Sequence, residues 1–411
     1  MLLQIVSNLY NTVGFCHAMN YDAVLSQITP SNTERERLQT STNLFLRKLQ
    51  VDAEVIVGGS MAKDTWLSNN NEVDIFVRFT DDTDISDTLE KVLRTQFTSV
   101  TRVHGSRDYF HVVFEEILFE VVPILKIDVA DNAHNITDVS PLHAEWVNKE
   151  CKRKQDVRLL KQFCKAQRVY GAESYISGFS GYITEILVTH YGSFEAVLRA
   201  AITWKHQEII DPSAYYKNKH VWFEVNHSKL VSPIIIIDPV DKNRNAAAAL
   251  SKQQCHRFVT AAKQFLKQPS ETFFVYQSPK YNMQNVVTIK FEPLSGKKDI
   301  VGAQLVKTYH KIVEQLHDYG VKKHDWEWTD AFYVYLECER TLLPSTYEHR
   351  GPPVVHEKHA ELFKQQYPKA YEKEGVLYCT RERENITIKQ SIEHILNNTW
   401  EFPKWTTFTL Q

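Results

Sequence analysis

The 411-residue sequence lacks the marks of several protein classes. Its six cysteines are scattered, without a CxxC pair or histidines at zinc-finger spacing, so we expect no structural zinc and a reducing, cytoplasmic setting. No run of about eighteen apolar residues is present, and we expect no membrane span. The net charge of −2 gives no global sign of nucleic-acid binding, so any such surface must be a local patch.

Internal repeats, low-complexity tracts and a secretory signal are also missing. The first twenty residues are mildly apolar but carry no basic stretch and no small-residue cleavage site, so we expect a helix or strand there. What is present is an ordinary globular composition, with 43% hydrophobic and 24% charged residues. A chain of this length and composition is expected to form two or three domains with buried cores.

The order of predicted elements divides the chain into three regions. Residues 1–147 follow a strand, turn, helix, strand, helix, hairpin order, which predicts a small α/β catalytic head. Residues 148–268 are dominated by helical periodicity and predict a helical neck. Residues 269–411 mix strands and helices and predict a ferredoxin-like or RRM-like α+β body with a short helical tail. The predicted fold class is therefore α+β.

Particular elements can be predicted within these regions. The head should contain a strand at Val73–Phe79 and a hairpin over residues 109–124. The neck should contain helices that end at Gly171 and Gly192, because glycine is favoured just after a helix. The body should begin with a strand over residues 272–276.

The most informative segment is residues 57–79, VGGSMAKDTWLSNNNEVDIFVRF. Strand side chains alternate between faces, so Glu72 and Asp74 point the same way while the apolar residues beside them point into the core. Two neighbouring carboxylates repel unless a cation lies between them, and Mg²⁺ carried with substrate phosphates is the expected cation. The Gly58-Gly59 turn lets backbone N–H groups approach a phosphate, and Ser60 begins a short helix whose N-terminus favours an anion. The segment predicts a nucleotidyltransferase.

Nucleotidyl transfer by two Mg²⁺ ions calls for a third carboxylate on a neighbouring strand. Glu120, in the apolar run LFEVVP, is the acidic residue that suits this position. Glu115 and Glu116 suit the turn of the hairpin better, and Asp128 follows the strand. The alternative is that the acidic pair and Glu120 are solvent-facing residues of amphipathic strands.

A helix predicted over residues 155–168 carries cations at i, i+3, i+7 and i+10, namely Arg158, Lys161, Lys165 and Arg168. This basic stripe could contact a polyphosphate or an RNA backbone, or it could be an ordinary solvated face. Tyr170, at the end of the helix, could stack on a base or bind a phosphate, although core packing is the commoner role for such a tyrosine.

Two further residues are candidates for nucleotide contact. His143 could contact the nucleotide, but a single histidine is more often structural. Arg244 lies in the polar loop DPVDKNRN and could donate to a ring nitrogen of a base. Cytosine and adenine both present an amino donor beside a ring acceptor, so one arginine together with one acceptor could select both and reject uracil and guanine. Anchoring of the loop by Arg244 through local carboxylates is an equally good interpretation.

The chain resembles archaeal-type (class I) CCA-adding enzymes, the tRNA nucleotidyltransferases. The resemblance rests on residues 57–79, 156–194 and 238–251, and it extends over roughly residues 30–395. It implies untemplated addition of C, C and A to the 3′ end of tRNA from CTP and ATP with Mg²⁺, and it suggests a homodimer. By matching positions, metal would be held by Glu72, Asp74 and Glu120, and the nucleotide would contact Gly59, Ser60, Lys63, His143, Lys161, Tyr170 and Arg244.

The chain departs from the family pattern at two of these positions. Most relatives carry arginine where this chain has Lys63, which keeps the charge but loses the bidentate fork. Relatives carry aspartate as the third carboxylate where this chain has Glu120, which adds a methylene at the metal. The alternatives that stay open are a CC-only, A-only or poly(A) nucleotidyltransferase, and a catalytically weakened tRNA-binding homologue whose tail is short.

Overall fold

The computed structural model describes residues 19–216, 221–225, 230–278, 281, 286–384, 386–399 and 405–411. The expectation for the first eighteen residues therefore lies outside the described residues. The chain forms two compact units, Met1–Gln277 and Ser278–Gln411. Within the described residues, no helix combines the length and apolarity that crossing a membrane requires.

The first unit combines a five-stranded sheet with a group of helices. Its helices are α1 (Asp22–Ile28), α2 (Asn32–Lys48), α3 (Gly59–Ala62), α4 (Ile85–Gln96), α5 (Ser140–Glu150), α6 (Lys154–Ala166), α7 (Gly181–Tyr191), α8 (Phe194–Ala201), α9 (Val221–Glu224) and α10 (Lys252–Lys267). Its strands are β1 (Glu54–Val57), β2 (Glu72–Phe79), β3 (Val100–Val103), β4 (Tyr109–Phe114), β5 (Ile117–Leu125), β6 (Glu208–Ile210) and β7 (Ile234–Ile236).

The main sheet has the strand order β1-β2-β5-β4-β3, and only the β2–β5 pair is parallel. The predicted hairpin is present as β4 and β5, and both turn residues, Glu115 and Glu116, have left-handed backbones with φ of 48° and 61°. The predicted strand at Val73–Phe79 is confirmed as part of β2. Strand β3 was not predicted.

Helix α2 seals one side of this sheet. Ser31 and Glu34 form a capping box at its start, and the buried residues recur at i, i+3, i+4 and i+7 from Leu38 to Phe45. The ring of Phe45 stacks on Phe97 and Phe119, with centroid distances of 4.7 and 4.1 Å. Helix α4 contributes Leu89 and Leu93 to the same core, so two helices cover this sheet.

The helices after residue 139 surround a second core in the same unit. Gly192 ends α7 with a left-handed backbone, as predicted. The prediction for Gly171 is wrong, because α6 ends at Ala166 and Arg168 already takes the left-handed conformation with φ of 59°. Residues 272–276 do not form the predicted strand; a 3₁₀ turn covers Glu271–Phe274 and packs against α6.

The second unit has two antiparallel sheets. Its strands and helices are β8 (Val286–Pro293), α11 (Lys298–Gln315), β9 (Val321–Trp328), β10 (Phe332–Cys338), β11 (Thr346–Pro353), α12 (Glu357–Gln366), β12 (Tyr371–Lys373), β13 (Val376–Glu382), α13 (Ile388–Thr399) and β14 (Trp405–Leu410). The sheet orders are β14-β8-β10-β9 and β11-β13-β12. Helices α11 and α13 share one core with the alternate residues of β8 and β10, and the predicted α+β class is confirmed.

The aromatic stack around Phe45 gives a testable expectation for stability. Phe45 is fully buried, so Phe45→Ala removes its apolar contacts with Phe97 and Phe119 and leaves a cavity. We expect a loss of about 3–5 kcal/mol in the free energy of unfolding, measured by urea denaturation. The neighbouring Leu44, on the exposed side of α2, provides the control Leu44→Ala, which should change stability by less than about 1 kcal/mol. Equal losses in the two variants would contradict the assigned orientation of α2.

Candidate active site

The parallel pairing of β2 with β5 brings the predicted carboxylates together. Asp74 lies directly opposite Glu120 in the register, and Glu72 lies two residues earlier on the same strand. Val73 and Ile75 are fully buried, whereas Asp74 is half-buried and Glu72 is exposed. The alternation predicted for this strand is therefore present, and the acidic residues share one face of the sheet.

The glycine turn before α3 packs directly against Asp74. The backbone N–H of Gly58 donates to the backbone carbonyl of Asp74 at 2.8 Å. Gly59 has a left-handed backbone with φ of +56°, and a Cβ atom placed there would lie 1.5 Å from Oδ2 of Asp74. Only glycine fits this position, because any side chain would be both strained and in collision with the carboxylate.

A cavity of about 290 Å³ opens over these carboxylates. The predicted residues that line it are Gly59, Lys63, Asp74, Glu120 and His143. Tyr182, Thr137, Ser140, Phe76 and Val122 complete its wall. The other predicted residues, which are Ser60, Glu72, Lys161, Tyr170 and Arg244, are not among the lining side chains. The structure thus gathers five of the ten predicted site residues around one cavity.

The electrostatics of the cavity favour a bound cation. Burial raises the pKa of Asp74, and the neighbouring Glu72 raises it further, although Lys63 acts in the opposite direction. Burial and the charges of Asp74 and Glu72 raise the pKa of Glu120 to about 7. Carboxyl groups with raised pKa values resist ionisation where no cation is present, and a divalent ion would relieve this repulsion.

The donor set fits magnesium bound together with a phosphate substrate. Carboxylate oxygens are the ligands that Mg²⁺ prefers, and proteins usually supply only one or two of them, leaving the other positions to water and phosphate. The described part of the chain contains no group of three or more His, Cys, Asp or Glu side chains that could hold a metal ion. Asp74 and Glu120 lie opposite each other at the cavity, with Glu72 two residues before Asp74, so any metal bound there would need further ligands from water or substrate.

Lys63 and Lys161 meet at one buried carboxylate. Glu185, on α7, is fully buried; its Oε2 accepts from Nζ of Lys63 at 2.6 Å and its Oε1 from Nζ of Lys161 at 2.8 Å. The hydroxyl of Thr65 also donates to Glu185 and accepts from Lys161 at 2.9 Å. Lys63 lies in the cavity wall, and Lys161 lies behind it.

The prediction of an exposed basic stripe on α6 is wrong. Arg158 and Lys161 are only 1% and 2% exposed, and Arg158 donates to Asp64 at 2.6 Å and to the carbonyl of Trp66 at 2.9 Å. Of the four cations of the predicted stripe, only Lys165 is classed as exposed. The helix is buried on several sides, so its cations bind acceptors from the segment that follows α3.

A second buried carboxylate, Asp238, holds the part of the wall that contains His143 and Tyr182. Asp238 is fully buried and accepts from Nε2 of His143 at 3.0 Å, from the hydroxyl of Tyr182 at 3.1 Å, and from Nη1 of Arg244. Burial alone would raise the pKa of Asp238, but the hydrogen bond and charge of His143, together with Arg244, bring that pKa down to about 2. The ring of His143 also stacks on Tyr182, with centroids 4.0 Å apart.

Ser60 and Tyr170 lie close to these groups without lining the cavity. Ser60 is in α3, and its carbonyl accepts from the backbone N–H of Thr65 at 3.0 Å. Tyr170 lies against the start of α7, where a Cβ atom on Gly181 would be 2.9 Å from the tyrosine hydroxyl and 3.6 Å from Nζ of Lys161. Tyr170 and Lys161 therefore share one neighbourhood.

Sequence reasoning missed the buried acids that hold this site together. Glu185 is the only acidic residue in the apolar helix GYITEILVTHY, and Asp238 ends the apolar run IIIID. A single carboxylate in such a setting is the available signal, because a buried charge requires a partner. The sequence does not say which cations those partners are.

Three family models match consecutive parts of the chain. The nucleotidyltransferase domain family matches residues 41–141, the second domain of tRNA nucleotidyltransferases matches residues 155–275, and the C-terminal domain of CCA-adding enzymes matches residues 283–402. The CCA-adding enzyme of Nanoarchaeum equitans is 33% identical over 363 residues, which cover 84% of this chain and 90% of that protein. The enzyme of Pyrobaculum aerophilum is 35% identical over 347 residues, covering 80% of each chain, and that of Methanosarcina mazei is 30% identical over 412 residues, covering 92% and 88%.

The raised pKa of Glu120 predicts a pH-dependent stability. Between its ordinary value of 4.5 and about 7, the folded protein binds more protons at Glu120 than the unfolded chain does, so stability falls as pH rises through this window. Glu120→Gln cannot ionise, so it should not lose stability in this way. In EDTA, we expect the melting temperature of the variant to exceed that of wild type by more at pH 8 than at pH 4.5. Added Mg²⁺ should reduce this difference in melting temperature.

The matched control is Glu116→Gln, in the exposed turn of the same hairpin. Its melting temperature should differ from that of wild type by the same small amount at both pH values. A gain for Glu120→Gln that does not depend on pH would show that Glu120 carries no electrostatic strain.

Proposed function

The chain belongs to the family of CCA-adding enzymes, and we propose that it adds C, C and A to the 3′ end of tRNA, taking the nucleotides from CTP and ATP and releasing pyrophosphate. The observation that carries this proposal is the pairing of Asp74 with Glu120 beneath the Gly59 turn, in a cavity that Lys63 and His143 also line. Carboxylates for a metal and donors for a phosphate thus face one space.

Nucleotidyltransferases depend on divalent metal ions, and we propose two Mg²⁺ ions held by Glu72, Asp74 and Glu120 together with the triphosphate. When bound, the ions would lower the pKa of the attacking 3′ hydroxyl and neutralise charge on the leaving pyrophosphate. The residues themselves supply a fixed frame, since β2 and β5 hold Asp74 and Glu120 in register.

The triphosphate is assigned to the side of the cavity where the backbone and the cations converge. The left-handed Gly59 lets the backbone at the start of α3 come close to an anion, and Ser60 lies next to it. Lys63 in the wall provides a charge-assisted donor, with Lys161 and Tyr170 behind it. Lys63 can donate directly to a phosphate oxygen, whereas Lys161, whose ammonium group is bonded to Glu185 and Thr65, contributes positive charge from behind the wall.

Nucleotide choice is assigned to the wall organised by Asp238. Arg244 is tied to Asp238, which also binds His143 and Tyr182 at the cavity. Both interpretations of Arg244 from sequence are compatible with this arrangement, because a loop-anchoring carboxylate also fixes the direction of the guanidinium. We propose that Arg244 donates to the ring nitrogen that cytosine and adenine both present as an acceptor, and that a separate acceptor binds their amino group.

The remaining assignments concern the whole chain. We propose that residues 1–147, 148–268 and 269–411 act as head, neck and body, that the neck and body bind tRNA through local surfaces, and that the active form is a homodimer in the cytoplasm. The relatives named above support the substrate, since each is a CCA-adding enzyme matched over at least 80% of its length.

The proposal is tested by extension of three RNAs: tRNA lacking CCA, tRNA ending in CC, and oligo(A), each with labelled CTP or ATP. We expect C incorporation on the first, a single A on the second, and no long tail on the third. Asp74→Asn should lower kcat by at least about 100-fold, because it removes a metal-binding charge worth several kcal/mol in the transition state. Asp128→Asn, an exposed carboxylate just after β5, is the control.

Long tails on oligo(A) would favour a poly(A) polymerase, and extension of only one of the two tRNA ends would favour a CC-only or A-only enzyme. Equal background incorporation by wild type and Asp74→Asn, with tRNA binding intact, would favour a tRNA-binding homologue without catalysis.

A second prediction concerns the glycine turn. Gly59→Ala places a methyl group on the Asp74 carboxylate in addition to straining a left-handed backbone. Gly192→Ala introduces the same kind of strain at φ of +92°, but its Cβ would meet nothing within 4 Å. We expect both variants to lose about 1–2 kcal/mol of stability, and only Gly59→Ala to lose extension activity, by at least about tenfold. Equal extension activity in the two variants would show that the turn at Gly59 is not needed for nucleotide transfer.

A further inference from the structure

The buried carboxylate of Glu185 joins parts of the site that are distant in sequence. It lies on α7, whereas Lys63 and Thr65 come from the segment that begins with α3, and Lys161 comes from α6. Each Oε atom has its own ammonium partner, Lys63 at 2.6 Å and Lys161 at 2.8 Å. One side chain therefore fixes the distance between two lysines from different elements.

The charges in this cluster do not balance. Glu185 remains ionised, because Lys161 and Lys63 outweigh the effect of burial and lower its pKa to about 2. Two ammonium groups against one carboxylate leave a surplus positive charge near Asp74, where Lys63 and Lys161 oppose the rise in pKa that burial causes. A surplus cation held in a low-dielectric site is a strong attractor for an anion.

The described hydrogen bonds of Lys63 use one of its three N–H donors, on Glu185. Its side chain lines the cavity beside Gly59, so the other donors can reach a ligand there. Lys161, in contrast, donates its described hydrogen bonds to Glu185 and to the hydroxyl and carbonyl of Thr65. Glu185 thus leaves Lys63 oriented toward the cavity and anchors Lys161 behind it.

We propose that Glu185 is a positioning residue for the triphosphate: it holds Lys63 and Lys161 as a pair whose surplus charge binds the β- and γ-phosphates of the incoming nucleotide. This inference rests on the proposed function, because it assumes that the cavity takes CTP and ATP. It predicts that Glu185 affects polyphosphate affinity specifically, without contacting the base or the ribose.

The test compares Glu185→Gln with wild type for binding of CTP, CMP and inorganic tripolyphosphate by calorimetry. Without the carboxylate charge, the lysines lose their anchor and repel one another. We expect the Kd for CTP and for tripolyphosphate to rise about 10–100-fold, as charge-assisted hydrogen bonds are lost, and the Kd for CMP to change less than about threefold. In extension assays, the KM for CTP should rise more than kcat falls.

Two variants separate positioning from folding. Thr184→Val changes the adjacent, fully buried residue, whose hydroxyl donates to the carbonyl of Gly181 at 2.6 Å, and it leaves both lysine contacts in place. It should lose stability without selective loss of polyphosphate binding. Should Glu185→Gln fold poorly, Glu185→Asp keeps the charge but cannot reach both lysines, and it should show the same selective loss to a smaller extent.

An equal rise in the Kd for CTP and for CMP in Glu185→Gln, or an unchanged Kd for tripolyphosphate, would overturn the inference. Neither result would contradict CCA addition by the wild type. Absence of both CTP binding and tRNA extension in the wild type would instead overturn the proposed function.

Discussion

The parallel pairing of β2 with β5 is the constraint on which the site depends. The register places Asp74 beside Glu120, and no side-chain rotation can take either acid to the buried face, because strand side chains alternate strictly. The fold therefore concentrates negative charge at one place. Burial and the repulsion between the acids raise the pKa of both Asp74 and Glu120. Such strain is tolerated at sites where a cation arrives with the substrate.

The rest of the cavity compensates for this concentration of charge. Lys63 brings positive charge toward Asp74, and the turn at Gly59 gives up a side chain so that the backbone can approach the carboxylate. Two acids that do not line the cavity bind the neighbouring cations: Glu185 binds Lys63, and Asp238 binds Arg244. Because Glu185 and Asp238 are each bonded to more than one of these side chains, removal of one member disturbs the others.

Local patterns in the sequence predicted the catalytic strand and hairpin well. The alternation around Asp74 and the acid-rich turn at Glu115 are short-range features, and both are present. Two of the strands that sequence reasoning missed are short or polar: β3 has four residues, and β9, VKKHDWEW, is an edge strand that pairs, among the described residues, with β10 alone. Edge strands carry charged residues because one side faces no further strand, so the apolar signal is weak.

The prediction for α6 was wrong for a different reason. Periodicity assigns cations to solvent by default, and Arg158 and Lys161 do fall on one face of the helix. Leu159 and Leu160, however, are buried next to them, which is the pattern of a helix surrounded by protein. Their acceptors, Asp64 and Glu185, lie far away in sequence, and only tertiary structure identifies them.

The lysine at position 63 follows from the same arrangement. Each oxygen of Glu185 serves a different lysine, Oε2 for Lys63 and Oε1 for Lys161. The planar fork of an arginine at position 63 would match both carboxylate oxygens and would compete with Lys161 for Oε1. A lysine needs only one acceptor, so it can bind Glu185 and still direct N–H donors into the cavity. A lysine at position 63, where the family resemblance implies arginine, is thus compatible with phosphate binding, because Glu185 fixes the ammonium group.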